Sequence, residues 1–163
     1  RRDSGIRQRT AAVLEPMLRS HAQYYKYRDE VLQSAVMGGK RILVIDDDKA
    51  IQKALHALLC ADGHQTISAL DAMQGVMMAR QSSPDLIILD INMPAGGGIS
   101  VFQRLRSLSG TMQVPVLIYT GVPLDEIRAK IPDASDVAFL QKPASLQAIK
   151  DAVARLLPGS DRR

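Results

Sequence analysis

RILVIDDD, residues 41–48, joins four apolar residues to three consecutive carboxylates. The run Ile42 to Ile45 is rich in β-branched side chains and reads as a strand buried on both faces. In an open α/β sheet, ligands bind beyond the carboxyl ends of the strands. Asp46, Asp47 and Asp48 would repel one another there unless something positive sat among them. A divalent-metal site is the reading this stretch suggests.

Outward from it the chain alternates. A helix is expected over 49–62, with Ile51, Leu55, Leu58 and Leu59 on one face and Gly63 as its stop. A short strand follows over 65–69, then a helix over 71–81 that starts near Leu70 or Asp71. Leu86 to Leu89 is a second buried strand, and it also ends in a carboxylate, Asp90. The glycines of 96–98 predict a flexible loop before a helix over 99–108. Val114 to Tyr119 is a strand ending in Thr120-Gly121, and 124–130 is a short helix stopped near Pro132. Val137 to Leu140 is a strand followed by Gln141-Lys142-Pro143, and 145–157 is the last helix. Strict alternation predicts an α/β fold, a parallel sheet covered by helices on both faces. Right-handed crossovers bring all strand carboxyl ends to one edge.

That edge gathers Asp46, Asp47, Asp90, Thr120 and Lys142. Carboxylates with no His or Cys beside them suit Mg²⁺ rather than zinc. A carboxylate can also be the nucleophile that forms an aspartyl phosphate. Metal, nucleophile, cation and hydroxyl together describe a phosphoryl-transfer site.

The strings LVIDDD, PDLIILDINMP with the following Gly98, PVLIYTG and FLQKP occur here in order. Over residues 41–157 the chain resembles the receiver domain of two-component response regulators. The resemblance implies a doubly wound, flavodoxin-like five-stranded parallel sheet of order 2-1-3-4-5. It implies that Asp90 is the phosphoacceptor. It gives Mg²⁺ to Asp46, Asp47, Asp90 and the backbone carbonyl of Asn92, with Mn²⁺ able to substitute. Thr120 is the switch hydroxyl, Lys142 the phosphate-pairing cation and Phe139 the rotating aromatic residue. Pro94 and Pro143 are the loop and cis-proline candidates. The implied partner is a sensor histidine kinase or a histidine phosphotransfer protein. Such a domain assists its own phosphorylation and dephosphorylation without being a conventional turnover enzyme.

Two alternatives stay open. A haloacid-dehalogenase-like phosphatase would use Asp46 and Asp48 as an Asp-x-Asp motif and Thr120-Gly121 as its second motif. It needs a later acidic pair, and it leaves Asp90 and Lys142-Pro143 unexplained. The other alternative is an interaction module, homodimeric through an N-terminal helix or through the fourth-helix and fifth-strand face.

The N-terminal extension differs in composition. Residues 1–40 hold eight Lys/Arg against four Asp/Glu, while 41–163 hold thirteen of each. The net charge of +4 therefore lies wholly in the first forty residues. A helix is expected over about 10–37, with Leu18, Tyr25, Leu32 and Val36 as its stripe and Gly38-Gly39 as its end. Basic charge alone, without a helix-turn-helix, zinc or base-stacking pattern, makes nucleic acid an unexpected partner. Residues 158–163 read as a short polar tail. The chain opens on Arg1, so a trimmed protein or a piece of a larger regulator is expected. No run approaches the roughly 18 apolar residues of a membrane span. One cysteine, Cys60, is read as a buried small hydrophobe in a reducing, cytoplasmic setting.

Overall fold

The computed structural model describes residues 39–94 and 97–157. The expected helix over 10–37 and the tail at 158–163 lie outside the described residues. The elements alternate as β1 (Arg41–Ile45), α1 (Lys49–Ala61), β2 (Gln65–Ala69), α2 (Ala72–Ser82) and β3 (Leu86–Leu89). They continue with α3 (Gly97–Ser107), β4 (Val116–Thr120), α4 (Leu124–Arg128), β5 (Val137–Gln141) and α5 (Leu146–Leu156). The five strands are parallel, in the order β2-β1-β3-β4-β5. Among the described residues no helix is long and apolar enough to cross a membrane.

Both faces of the sheet are covered, which is why β1, β3 and β4 are apolar at nearly every position. Side chains alternate between the faces. Ile42, Val44, Leu86, Ile88, Leu117 and Tyr119 pack with Leu55 and Leu59 of α1 and Ile149 and Val153 of α5. Leu43, Ile45, Ile87, Leu89, Val116 and Ile118 pack with Ala79 of α2, Val101 and Leu105 of α3, and Ile127 of α4. The parallel register sets Ile45 beside Leu89 and Thr120 beside Gln141. It thereby fixes which strand-end residues become neighbours.

Helix starts follow local chemistry. Asp48 caps α1, its side chain accepting from the backbone N–H groups of Ala50 and Ile51. Asp71 and Ser145 do the same for Gln74 and Ala148. The fourth expected strand starts late, at Val116 rather than Val114. Val114 N–H is spent in a turn on Thr111 O, and Pro115 has no N–H to pair. The short helix ends at Arg128, before the expected 130. Cys60 is half-buried rather than buried, with Sγ 3.5 Å from His56 Nδ1.

The glycine run departs most from expectation. Gly97 and Gly98 are not loop but the first residues of α3, both buried. A Cβ on Gly98 would fall 2.3 Å from Ile91 Cα and 2.6 Å from the Asp90 carbonyl oxygen. Glycine is thus required by close approach of two backbones, not by looseness. Lys142-Pro143 is the one cis peptide among the described residues, so Pro94 keeps only the loop half of its expectation.

Candidate functional site

Asp46 and Asp90 each stand one residue past paired strand ends, Ile45 and Leu89. Their backbone N–H groups continue the ladder, Asp46 donating to Ala69 O and Asp90 to Ile45 O. Continuing the alternation of side chains, both carboxylates point to the face shared by α1 and α5. So does Lys142, two residues past Leu140. Thr120 follows Ile118 and has the opposite parity.

Distances agree with that geometry. Lys142 Nζ lies 2.6 Å from Asp46 Oδ2 and 2.9 Å from Asp90 Oδ2. It also sits 5.4 Å from the centre of the Tyr119 ring, which supplies a second attractive surface for the ammonium. The other carboxylate oxygens are held by backbone: Asp48 N–H donates to Asp46 Oδ1 and Asn92 N–H to Asp90 Oδ1. Asp46 and Asp90 are only 2% and 6% exposed, while Asp47 beside them is open to solvent.

Burial disfavours charge on Asp46 and pushes its carboxyl above the usual range, despite hydrogen bonds from Lys142 and Asp48 N–H. Burial pulls Lys142 down, but its two carboxylate partners outweigh that and hold it above the usual lysine range. The asymmetry has a simple cause. Lys142 meets two anions, whereas Asp46 meets one cation and a second anion, Asp90.

Asp46, Asp47 and Asp90 offer carboxylate oxygens that all lie within 4.8 Å of one another. Around Mg²⁺, ligand oxygens about 2.0–2.1 Å from the ion are about 3 Å apart when adjacent and about 4 Å when opposite. The spread of the three carboxylates approaches that spacing, and the oxygen-only set suits a hard divalent cation. The excess negative charge points the same way: one lysine is set against three carboxylates.

Thr120 is fully buried at the rim, and its Oγ1 accepts from Val122 N–H at 3.3 Å. Phe139 is half-buried on the α4 side, with the Arg128 guanidinium 5.0 Å above its ring. The structure therefore brings Asp46, Asp47, Asp90 and Lys142 into one cluster. Thr120 ends the neighbouring strand β4, and Phe139 of β5 packs on the α4 side. The Asp48 carboxylate caps α1, and Asp48 reaches the cluster only through its N–H to Asp46.

Gln52 was missed by sequence reasoning. It is buried on α1, and its Nε2 donates to Val44 O, Asp46 O and Ala69 O. It ties the start of α1 to the turn that carries Asp46. The signal was a polar residue on the apolar stripe of α1, one turn before Leu55. Gln141 acts similarly on the other side, donating to Thr120 O and Gly121 O.

Comparison with known proteins points in one direction. A family model described as the response regulator receiver domain matches residues 42–154. RpaA of Synechocystis, a DNA-binding dual master transcriptional regulator, is 38% identical over 124 residues, covering 75% of this chain and 51% of RpaA. The chain thus spans about half the length of RpaA. Protein PilH of Pseudomonas aeruginosa is 32% identical over 121 residues, covering 73% of this chain and 98% of PilH. Among solved structures, the receiver domain of a sensor histidine kinase from Pseudomonas aeruginosa superposes with a TM-score of 0.66. It is 24% identical, covers 73% of this chain and 98% of its own, and has a magnesium ion coordinated in its active-site cleft. At that identity the likeness speaks for the fold.

Proposed function

Because this chain belongs to the family of response regulator receiver domains, the signalling modules of two-component systems, we propose that Asp90 is its phosphoacceptor. The donor is a phosphohistidine on a sensor histidine kinase or a histidine phosphotransfer protein. An Asp90 oxygen forms the new P–O bond as the P–N bond to the donor imidazole breaks, and the released imidazole takes a proton from solvent.

The observation that carries this reading is the Lys142 ammonium shared between buried Asp46 and Asp90, 2.6 and 2.9 Å away. It holds the Asp90 carboxylate in place before reaction and offers a cation to the phosphoryl oxygens after it. Asp46, Asp47 and Asp90, with the Asn92 carbonyl, would hold Mg²⁺, or Mn²⁺ in its place, whose charge neutralises the phosphoryl oxygens. Asn92 N–H keeps the nucleophile's rotamer through Asp90 Oδ1.

Thr120 would exchange its Val122 N–H contact for donation to the new phosphoryl group, drawing in the loop before α4. Phe139 would then repack under Arg128, changing the α4–β5 face that a partner or a second copy reads. Water attack on the acyl phosphate ends the state. A cytoplasmic setting belongs to the same proposal, since one cysteine calls for no oxidising compartment.

Beryllofluoride with Mg²⁺ tests the reading as a phosphate mimic. Amide NMR signals of Asn92, Val122 and Lys142 should shift together with Mg²⁺ present, and stay put with chelator or in Asp90→Asn. Shifts that survive Asp90→Asn would contradict it.

A further inference from the structure

The outer face of α2 carries two exposed methionines, Met73 and Met77, beside Arg80 and Gln81. Its small inner residues, Gly75 and Ala79, are buried against the sheet. On the other side Met73, Met77 and Arg80 recur at i, i+4 and i+7, with half-buried Val76 between them and the core. Met73 is 84% exposed and Met77 45%. A helix normally turns such a stripe inward. Here it borders a groove of about 800 Å³ whose far wall is Ser100, Val101 and Arg104 of α3.

The groove has a defined charge. Helices α2 and α3 contain Arg80, Arg104 and Arg106 and no acidic residue. Arg106 is turned away to Asp136, 3.0 Å from it. Arg80 and Arg104 both line the groove and are exposed, and among the described residues no ion pair engages them. At its upper end a Cβ on Gly97 would lie 2.9 Å from Ala72 Cβ, so the two helices touch where they begin. From Ala72 to Gln81 the wall runs about 14 Å at 1.5 Å per residue, the length of two to three turns of another helix.

We propose that the α2–α3 groove docks an amphipathic helix of a partner protein, with apolar residues on the methionine stripe and acidic residues on Arg80 and Arg104. Helix-in-groove recognition uses this layout, and methionine adapts to varied apolar partners. Residues 1–38 carry seven Lys/Arg against four Asp/Glu, so their net charge does not complement Arg80 and Arg104. The surface lies on the face opposite the shared carboxylates, so docking there leaves Asp90 accessible to its phosphodonor.

The test uses the full chain and two designed helical peptides of identical leucine stripe, one flanked by Glu and one by Lys. Anisotropy should show saturable binding of the Glu peptide, with amide shifts at Met73, Met77 and Val101. Joint Arg80→Glu and Arg104→Glu should weaken it at least about tenfold and transfer preference to the Lys peptide. Met77→Ser should weaken both peptides, and circular dichroism checks that each variant is folded. Equal binding of both peptides, indifference to the charge reversal, or shifts mapped elsewhere would overturn the proposal. Association with phosphatidylserine vesicles in place of the peptide would overturn it too.

Discussion

Lys142 is the residue on which the cluster's charge balance depends. Removing its ammonium leaves two buried carboxylates facing each other. Breaking a buried pair in this way costs about 3 kcal/mol or more, because a charge is left uncompensated. Lys142→Met should therefore lower the urea midpoint at neutral pH. In that variant the Asp46 carboxyl rises further above its ordinary value, so the folded state binds a proton that the unfolded state has released. The deficit should grow as pH rises from the ordinary Asp46 value of 3.8 through its raised folded value. A deficit that stays constant with pH would contradict the shared-cation account. His64 offers an independent titration away from this cluster. Burial holds its imidazole below the usual range, against the pull of Asp62 and Asp85, and Nδ1 accepts from Lys40 N–H. Its folded value is depressed, so stability is full above about pH 6.5 and is lost as pH falls through the folded value. His64→Asn should flatten that part of the denaturation profile, and an unchanged slope would remove His64 as its cause. Asp46, Asp90 and Lys142 were legible because each ends an apolar strand. Gln52 and Tyr119 were not, since a role taken through backbone carbonyls or a ring face leaves no motif.

At the scale of elements, the boundary between β3 and α3 matters most. The glycine run suggested a loosened loop, yet Gly98 sits where two backbones meet. Gly98→Ala would press a methyl into the Asp90–Ile91 peptide, and overpacking of that kind costs about 1–3 kcal/mol. Because that peptide carries Asp90, the proposed nucleophile, phosphoryl uptake should slow in the same variant. Gly110→Ala is the control, as its Cβ would meet nothing within 4 Å. Equal melting temperatures for the two variants would show that the close approach is not a constraint. The strands were readable because burial on both faces leaves uninterrupted apolar runs. The start of α3 was not, since a glycine needed for contact and one needed for freedom look the same in sequence. The delayed start of β4 was in fact written in Pro115, whose missing N–H postpones the ladder.

At the scale of the molecule, alternation of strands and helices dictated the doubly wound sheet, and the register then assembled the site from residues as distant as Asp46 and Lys142. Sequence pattern alone left the pairing order open, and the family likeness supplied it. Three carboxylates against one lysine leave an excess of negative charge that suits a divalent cation. Mg²⁺ at about one hundred times its Kd should stabilise the chain by about 2.7 kcal/mol, and chelator should reverse this. Asp47→Asn should blunt the gain at little cost to the metal-free protein, because Asp47 is exposed. The central claim is that Asp90 takes up the phosphoryl group. Intact-mass and peptide mass spectrometry after incubation with acetyl phosphate tests it most directly. With Mg²⁺ present, one phosphoryl group should appear on the peptide holding Asp90, and none with chelator or in Asp90→Asn. A phosphoryl group mapped to another residue, or none in the Mg²⁺-loaded wild type, would contradict it.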